Sequence, residues 1–135
     1  MSHKQVGAAS TTKLVIIFAI CGVLAFAVTL LPKGFKSDLS LIGQGTASLV
    51  LVHDKNYVGS IQMMELMNKV RSDYKETVEF LAVDIATPEG QRFSQQQQAG
   101  AIDLVVFGAD GQKRNVLSGG IPEEGLRSVL DDLVK

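Results

Sequence analysis

Residues 47 to 74 read ASLVLVHDKNYVGSIQMMELMNKVRSDY, and this stretch decides the fold. Its first six residues, Ala47 to Val52, form a continuous apolar run that is too short to favour a helix and predicts a buried central strand. From Val58 to Tyr74 the apolar residues recur at spacings of three and four, which predicts an amphipathic helix. A buried strand followed closely by a long helix is typical of α/β folds.

Downstream of this stretch, strand and helix patterns continue to alternate. The predicted elements are a strand at Thr77 to Val83, a helix that begins at Pro88, runs to Ala99 and is terminated by Gly100, a strand at Asp103 to Gly108, a strand at Lys113 to Leu117, and a last helix that starts within Ile121 to Glu124. Between the last two strands, Asp110-Gly111 is a strong hairpin signal. The order favours parallel pairing of the first two strands and an antiparallel hairpin after them.

Upstream of the central strand, Leu14 to Leu31 reads LVIIFAICGVLAFAVTLL, without a charge or a proline. A helix of about 18 residues at 1.5 Å per residue is close to the thickness of the hydrocarbon core of a bilayer. Lys13 precedes the run, and Pro32 and Lys33 follow it, so the flanks are typical of a membrane anchor. The sequence therefore predicts one transmembrane helix, with the lipid bilayer as its surroundings.

Two cleavage signals are rival interpretations of this run. Ala25-Phe26-Ala27 is similar to the small-x-small site of a secretory peptide, and Phe18-Ala19-Ile20-Cys21 is faintly similar to a lipoprotein box. An uncleaved anchor is favoured because the apolar run continues through Leu31 and Ile20 is too large for the lipoprotein box. Lysines flank both ends in equal number, so orientation rests on the short N-terminal tail, which we expect to stay cytoplasmic with the soluble domain periplasmic or otherwise extracytoplasmic.

These boundaries divide the chain into a tail (residues 1–13), a transmembrane helix (14–31), a linker (32–46) and an α/β domain (47–135). The formal net charge is −1 and the charges are scattered, so nothing indicates a nucleic-acid partner. The single cysteine, Cys21, lies inside the apolar run, so no intrachain disulfide is possible.

In its order of elements, the region from Ala47 to Lys135 resembles the thioredoxin-like superfamily. The stretch Gly100 to Phe107 followed by Asp110-Gly111 looks like that family's Gly-Ile-Pro-Thr strand and hairpin, and Gly119-Gly120 looks like its closing glycine turn. The resemblance implies a thioredoxin-like mixed sheet flanked by helices, preceded here by the transmembrane helix.

The family's redox residues do not carry over to this chain. Its Cys-x-x-Cys pair would fall on Tyr57 to Ser60, and neither end of that segment holds a sulfur atom. Its cis-proline would fall on Ile102, where a cis bond costs about 3 kcal/mol and a trans bond is therefore expected. The resemblance thus implies a degenerate, redox-inactive member rather than an oxidoreductase.

A surface for partner proteins is the function that we expect from this resemblance. The family holds extended polypeptide beside the helix N-terminus and the cis-proline loop. The corresponding residues here are Tyr57, Val58, Gly59, Ser60, Ile102 and Asp103, with Tyr57 as the main anchor. With the transmembrane helix, this predicts an accessory or assembly subunit that contacts subunits of a membrane complex. We expect no catalytic residue, metal ion or cofactor.

Copper handling is the alternative function. His53 follows the central strand, and Met63, Met64 and Met67 lie on the predicted helix, where thioether ligands would suit copper. Methionine is also a common filler of hydrophobic cores. His53, Asp54 and Ser60 could also be drawn as a catalytic cluster, but no nucleophile elbow or oxyanion hole is signalled, so an exposed polar loop is the favoured interpretation.

Overall fold

The computed structural model describes residues 8–30 and 34–135, which fall into two compact units. The first unit contains one helix, and the second extends from Gly34 to Lys135. The first seven residues of the tail and the expectations for Leu31, Pro32 and Lys33 lie outside the described residues.

The helix of the first unit, α1, spans Ala8–Leu30 and exposes large apolar side chains on all sides. It begins before Leu14, because Ser10, Thr11, Thr12 and Lys13 continue the helix ahead of the apolar run. Within the described residues, the segment Ser10–Leu30 is the one helix long and apolar enough to cross a membrane, with a mean hydropathy of 2.6. An N-terminal signal sequence would meet the same criterion, so both interpretations of this helix stay open.

The second unit is a four-stranded mixed sheet with helices on both faces. Its elements are a short 3-10 turn (Leu39–Leu41), β1 (Ala47–His53), α2 (Val58–Tyr74), β2 (Val78–Asp84), α3 (Pro88–Gln97), β3 (Leu104–Phe107), β4 (Lys113–Leu117) and α4 (Glu123–Leu133). The strand order is β2-β1-β3-β4, with β1 parallel to β2 and the other two pairings antiparallel. The predicted fold class is confirmed.

One helix end differs from the sequence-based expectation. Helix α3 ends at Gln97 instead of reaching Ala99, because Gln98 adopts a left-handed conformation (φ 56°) and donates its N–H to the carbonyls of Ser94 and Gln95. Helix α4 begins at Glu123, with Pro122 still extended before it. At the end of α3, Gln98 therefore adopts the left-handed conformation that glycine usually adopts at the C-terminal end of a helix.

The two faces of β1 bury separate hydrophobic clusters. Leu49 and Leu51 face the first cluster, and Val50 and Val52 face the second, as the two-residue period of a strand requires. The first cluster packs under α2 and α4, whose buried contributors are Met63, Met67, Val70, Tyr74, Leu126 and Leu130. In the second, Phe93 of α3 packs against Phe107 with ring centroids 6.1 Å apart. Burial on both faces explains why β1 reads as an uninterrupted apolar run.

Residues 34–46, which the sequence predicts as a linker, are packed onto the sheet. Phe35 contacts the first cluster and lies 4.8 Å beneath the guanidinium of Arg71. The carbonyl of Lys36 accepts a 2.9 Å hydrogen bond from the Ala82 N–H, so this segment borders β2. Leu39, Leu41 and Ile42 pack against the second cluster. The compact unit therefore starts at Gly34 rather than at Ala47.

Strand β4 forms the opposite edge of the sheet, and its first three residues, Lys113 to Asn115, are exposed. The side-chain carbonyl of Asn115 accepts the N–H of Val116 at 2.8 Å. One outward backbone donor of this edge is therefore already occupied.

Candidate protein-contact surface

The loop between β1 and α2 is held by a set of short local hydrogen bonds. The Asp54 N–H donates to Ser60 Oγ at 2.9 Å, and the Asp54 carboxylate accepts the Asn56 N–H at 2.9 Å. Ser60 is 1% exposed. Predicted as a contact residue, Ser60 instead lies beneath the surface, where its hydroxyl fixes the loop.

Apolar side chains are exposed at the start of α2. Tyr57 caps the helix without a side-chain hydrogen bond and is 51% exposed, Val58 is 67% exposed, and Ile61, one turn further, is 53% exposed. We call these three residues the α2 tip. Among the described residues of the second unit, the one further large hydrophobic side chain that is exposed is Val134, at 40%. The apolar exposure of this unit is thus concentrated at one place.

Gly59 brings two predicted contact residues together. A β-carbon built on Gly59 would lie 2.7 Å from Cε1 of Tyr57 and 3.3 Å from Cγ2 of Ile102. The ring of Tyr57 and the methyl group of Ile102 therefore border the same spot above Gly59. Of the six predicted residues, the structure therefore brings Tyr57, Gly59 and Ile102 together, and Val58 is exposed next to them in the chain.

Ile102 has an unusual backbone conformation, with φ at +70°. The described residues contain no cis peptide bond, in agreement with the expectation for this position. The positive φ is a feature that sequence reasoning missed, because a β-branched residue avoids the left-handed region and gives no signal for it.

The carboxylate of Asp103 is engaged within the protein. One oxygen accepts the Gly100 N–H at 2.8 Å, and the other accepts the Gly119 N–H at 3.2 Å. Predicted as a contact residue, Asp103 joins the loop before β3 to the loop after β4, so its main contribution is to the shape of the surface.

The residues proposed for the alternative copper site differ in burial. Met63 and Met67 are 3% and 0% exposed and belong to the first hydrophobic cluster, whereas His53 is half-buried at the end of β1. Its Nδ1 is buried and has no hydrogen-bond partner in the part of the chain that the structure describes. Across residues 8–30 and 34–135, no three His, Cys, Asp or Glu side chains are grouped to hold a metal ion. The two methionines are core residues, as their burial shows.

A groove that sequence reasoning did not predict lies between the β3–β4 hairpin and α4. Its volume is about 720 Å³, and Val106, Val129 and Leu133 form its apolar part. Asp110 and Arg114, which pair at 3.0 Å, lie at its polar side. The groove lies at the C-terminal end of β3, whereas Ile102 precedes the N-terminal end of this strand. The groove is therefore separate from the α2 tip.

Solved structures with the same arrangement of strands and helices are thioredoxins and thioredoxin-like proteins. A thioredoxin-like protein from Clostridium perfringens is 12% identical, with a TM-score of 0.64, 72% of this chain covered and 78% of the other. A thioredoxin from Thermus thermophilus is 16% identical, with a TM-score of 0.64 and coverage of 76% and 87%. Mitochondrial thioredoxin 3 from Saccharomyces cerevisiae, in its oxidized form, is 21% identical, with a TM-score of 0.60 and coverage of 70% and 85%.

The second unit has a thioredoxin-like fold. No known family profile matches the sequence, and no curated protein matches it. At these identities the structural likeness establishes the fold alone.

In this thioredoxin-like unit, the start of α2 carries no sulfur. Tyr57 to Ser60 occupy the beginning of the first long helix after β1, and the chain's single cysteine is Cys21, in α1. A mechanism that needs two cysteines in one chain is therefore impossible here. What the α2 tip presents instead is an exposed aromatic ring and two exposed aliphatic side chains.

Proposed function

We propose that this chain is a membrane-anchored, redox-inactive, non-enzymatic thioredoxin-like module that binds protein, acting as an accessory or assembly subunit of a membrane complex. The observation that carries the proposal is the α2 tip, where three of the four exposed large hydrophobic side chains of the described second unit are concentrated. Exposed apolar residues on a rigid helix end, with an aromatic ring among them, suit recognition of another protein.

The size of the α2 tip favours a small part of a partner as its occupant. From their exposed fractions, the three side chains offer roughly 300 Å² of apolar surface. A stable interface buries about 800 Å² on each partner, so the tip corresponds to the centre of an interface. We infer that a short apolar segment of the partner sits on the tip and that polar contacts surround it.

The helix α1 supports the membrane part of the proposal through its length and composition. In the arrangement that we propose, the N-terminus is cytoplasmic and the thioredoxin-like unit is extracytoplasmic. A protease added to spheroplasts tests this, because it would degrade Gly34–Lys135 and leave cytoplasmic control proteins intact. Protection of the unit until the membrane is permeabilised would contradict the orientation.

Co-purification from detergent-solubilised membranes tests the contact surface directly. A specific partner, identified by mass spectrometry, is expected with the wild-type chain and lost with Tyr57→Ala. Val134→Ala is the matched control, since Val134 is an exposed aliphatic residue outside the α2 tip. Equal recovery of the partner with all three proteins would contradict the role of the tip.

A second variant separates the position of the Tyr57 ring from its presence. Gly59→Ala keeps all three tip side chains, yet its new methyl group would displace Cε1 of Tyr57, which lies 2.7 Å away. Alanine is a good helix former, so the helix should persist. We expect reduced partner recovery with an intact fold by circular dichroism.

Enzymatic and metal-handling functions are tested on the same preparation. Insulin reduction by the full chain is expected to stay at the rate of the buffer alone, and the Cys21→Ser variant should give the same result. Copper handling has less support because Met63 and Met67 are packed in the core. One copper ion per purified chain, lost in His53→Ala, would favour that alternative over our proposal.

A further inference from the structure

Ile102 combines a residue type and a backbone conformation that disfavour each other. At φ +70°, the β-carbon of an L-residue approaches its own backbone, and a β-branched side chain is the least suited to this region. Glycine or asparagine adopts the same conformation more easily. Strained residues persist where surrounding structure fixes them, and they often occur at functional sites.

The backbone around Ile102 is fixed on both sides. Its own N–H donates to the Val52 carbonyl at 2.7 Å, and the Asp103 carbonyl accepts the Val52 N–H at 3.0 Å. The Asp103 N–H in turn donates to the Gly100 carbonyl at 3.1 Å. The first two bonds tie the loop to the end of β1 and the third closes the loop on itself, so all three oppose relaxation of Ile102 toward a negative φ.

The side chain of Ile102 fills a space between two glycines. A β-carbon on Gly119 would overlap Cγ1 and Cδ1 of Ile102, so only glycine leaves room for this side chain. On its other side, Cγ2 of Ile102 reaches the spot above Gly59 that the edge of the Tyr57 ring also borders. Asp103 holds the Gly119 loop in place through the Gly119 N–H.

We propose that Ile102 is a strained positioning residue whose side chain, wedged between Gly119 and Gly59, restricts the Tyr57 ring to its exposed orientation. The β-branch of Ile102 supplies the Cγ2 that reaches the spot beside the ring. A restricted ring loses less conformational freedom on binding, which improves affinity. The benefit for partner binding rests on the proposed function above, whereas the strain and the support of the ring are properties of the chain by itself.

The strain is tested by comparing Ile102→Gly with Ile102→Ala in urea unfolding of the full chain in detergent micelles. Both variants lose the side chain, but alanine keeps the β-carbon that causes the strain. We expect the folded-to-unfolded ratio of Ile102→Gly to exceed that of Ile102→Ala by roughly five- to thirty-fold. Ala101→Gly is the matched control, and there glycine should lower the ratio. A folded-to-unfolded ratio for Ile102→Gly at or below that of Ile102→Ala would contradict the proposed strain at Ile102.

The support of the ring is tested by tyrosine fluorescence. The chain has two tyrosines and no tryptophan, so Tyr74→Phe leaves Tyr57 as the single emitter. In that background, Ile102→Ala and Ile102→Gly should shift the anisotropy decay of Tyr57 toward its fast component. Ile102→Val retains Cγ2 and should restore the slow component, which a purely structural role of Ile102 would not predict.

Unchanged ring motion in both truncated variants, measured where circular dichroism shows the fold intact, would overturn the positioning role. Both measurements use the protein without a partner. A failed co-purification would therefore contradict the proposed function and leave this inference standing. Unchanged ring motion would contradict this inference and leave the proposed function standing.

Discussion

The hydroxyl of Tyr74, at the end of α2, donates a 2.6 Å hydrogen bond to the carboxylate of Asp131 on α4. Nearby, Arg127 of α4 pairs with Asp73 of α2 at 2.7 Å. These polar contacts cross the seam between the two helices that cover one face of the sheet, so they fix α4 against α2 beside the first hydrophobic cluster.

Tyr74→Phe is expected to lower the free energy of unfolding by about 1 kcal/mol, because it removes a hydrogen bond and leaves the aromatic ring in place. Urea unfolding of the full chain in detergent, followed by circular dichroism, measures the change. Tyr57→Phe is the control and should have no effect, since Tyr57 is exposed and makes no side-chain cap hydrogen bond. Equal stability of both variants and the wild type would contradict this role of Tyr74.

The same contact predicts a dependence of stability on alkaline pH. The hydrogen bond to Asp131, together with burial, raises the pKa of Tyr74 above its ordinary value of 10.0. A raised pKa means that the folded state holds this proton more tightly than the unfolded state does, so the stabilisation is complete below pH 10 and is lost as the pH rises through the folded-state pKa. Wild-type stability should therefore fall more steeply above pH 10 than that of Tyr74→Phe. Equal slopes of stability against pH for the two proteins would contradict this prediction.

Two glycines in helices should respond to alanine in opposite directions. A β-carbon on Gly90, in the first turn of α3, would overlap the carbonyl oxygen of Asp84, which belongs to the backbone of β2. Gly90→Ala is therefore expected to destabilise the fold by more than 2 kcal/mol, roughly the effect of overpacking. On Gly125, in α4, the new methyl group meets side-chain atoms only, with Cγ1 of Ile121 at 3.1 Å and its Cδ1 at 3.4 Å. Gly125→Ala should be neutral or stabilising by up to about 1 kcal/mol. Thermal unfolding compares the two.

Two buried serines form a second matched pair. Ser48, on β1, is 0% exposed and its hydroxyl has no hydrogen-bond partner among the described residues. Ser48→Ala should raise the free energy of unfolding by roughly 1 kcal/mol, because an unsatisfied buried hydroxyl is removed. Ser60→Ala should lower it by a similar amount, since Ser60 Oγ accepts the Asp54 N–H. Equal effects of both substitutions in urea unfolding would contradict these assignments.

Residues 34–46 should be required for the stability of the domain. A fragment that starts at Gly34 is expected to fold cooperatively, whereas one that starts at Ala47 loses Phe35, the backbone bond from Ala82 to Lys36 and the apolar cover of Leu39, Leu41 and Ile42. We expect the shorter fragment to be largely unfolded or to unfold at a much lower urea concentration. Indistinguishable midpoints would mean that the segment is a linker after all.

The sequence predicted the elements that have a clear hydrophobic period, and it did so for physical reasons. The start of α2 at Val58 was predicted because spacings of three and four begin there, and β1 was predicted because burial on both faces requires an apolar run. In residues 34–46, Leu39, Leu41 and Ile42 fall at a spacing that suits a strand or a short helix, but three residues are too few to show that the segment packs onto the sheet.

The candidate site was predicted in part. Tyr57 and Val58 are exposed as a contact surface requires, but Ile61 was missed because it fits the apolar spacing of a buried helix face. The roles of Ser60 and Asp103 depend on contacts across a turn and between two loops. The φ of Ile102 runs against the preference of its own side chain, so only long-range contacts reveal it.

The edge of the sheet at β4 has a consequence for how the protein behaves at high concentration. An exposed edge strand can pair with strands of neighbouring molecules, and charged side chains on the edge oppose such pairing. Here Lys113 and Arg114 supply the charge, and Asn115 occupies the N–H of Val116. Crowded copies should therefore stay separate instead of polymerising edge to edge, which leaves each α2 tip accessible to the partner that we propose.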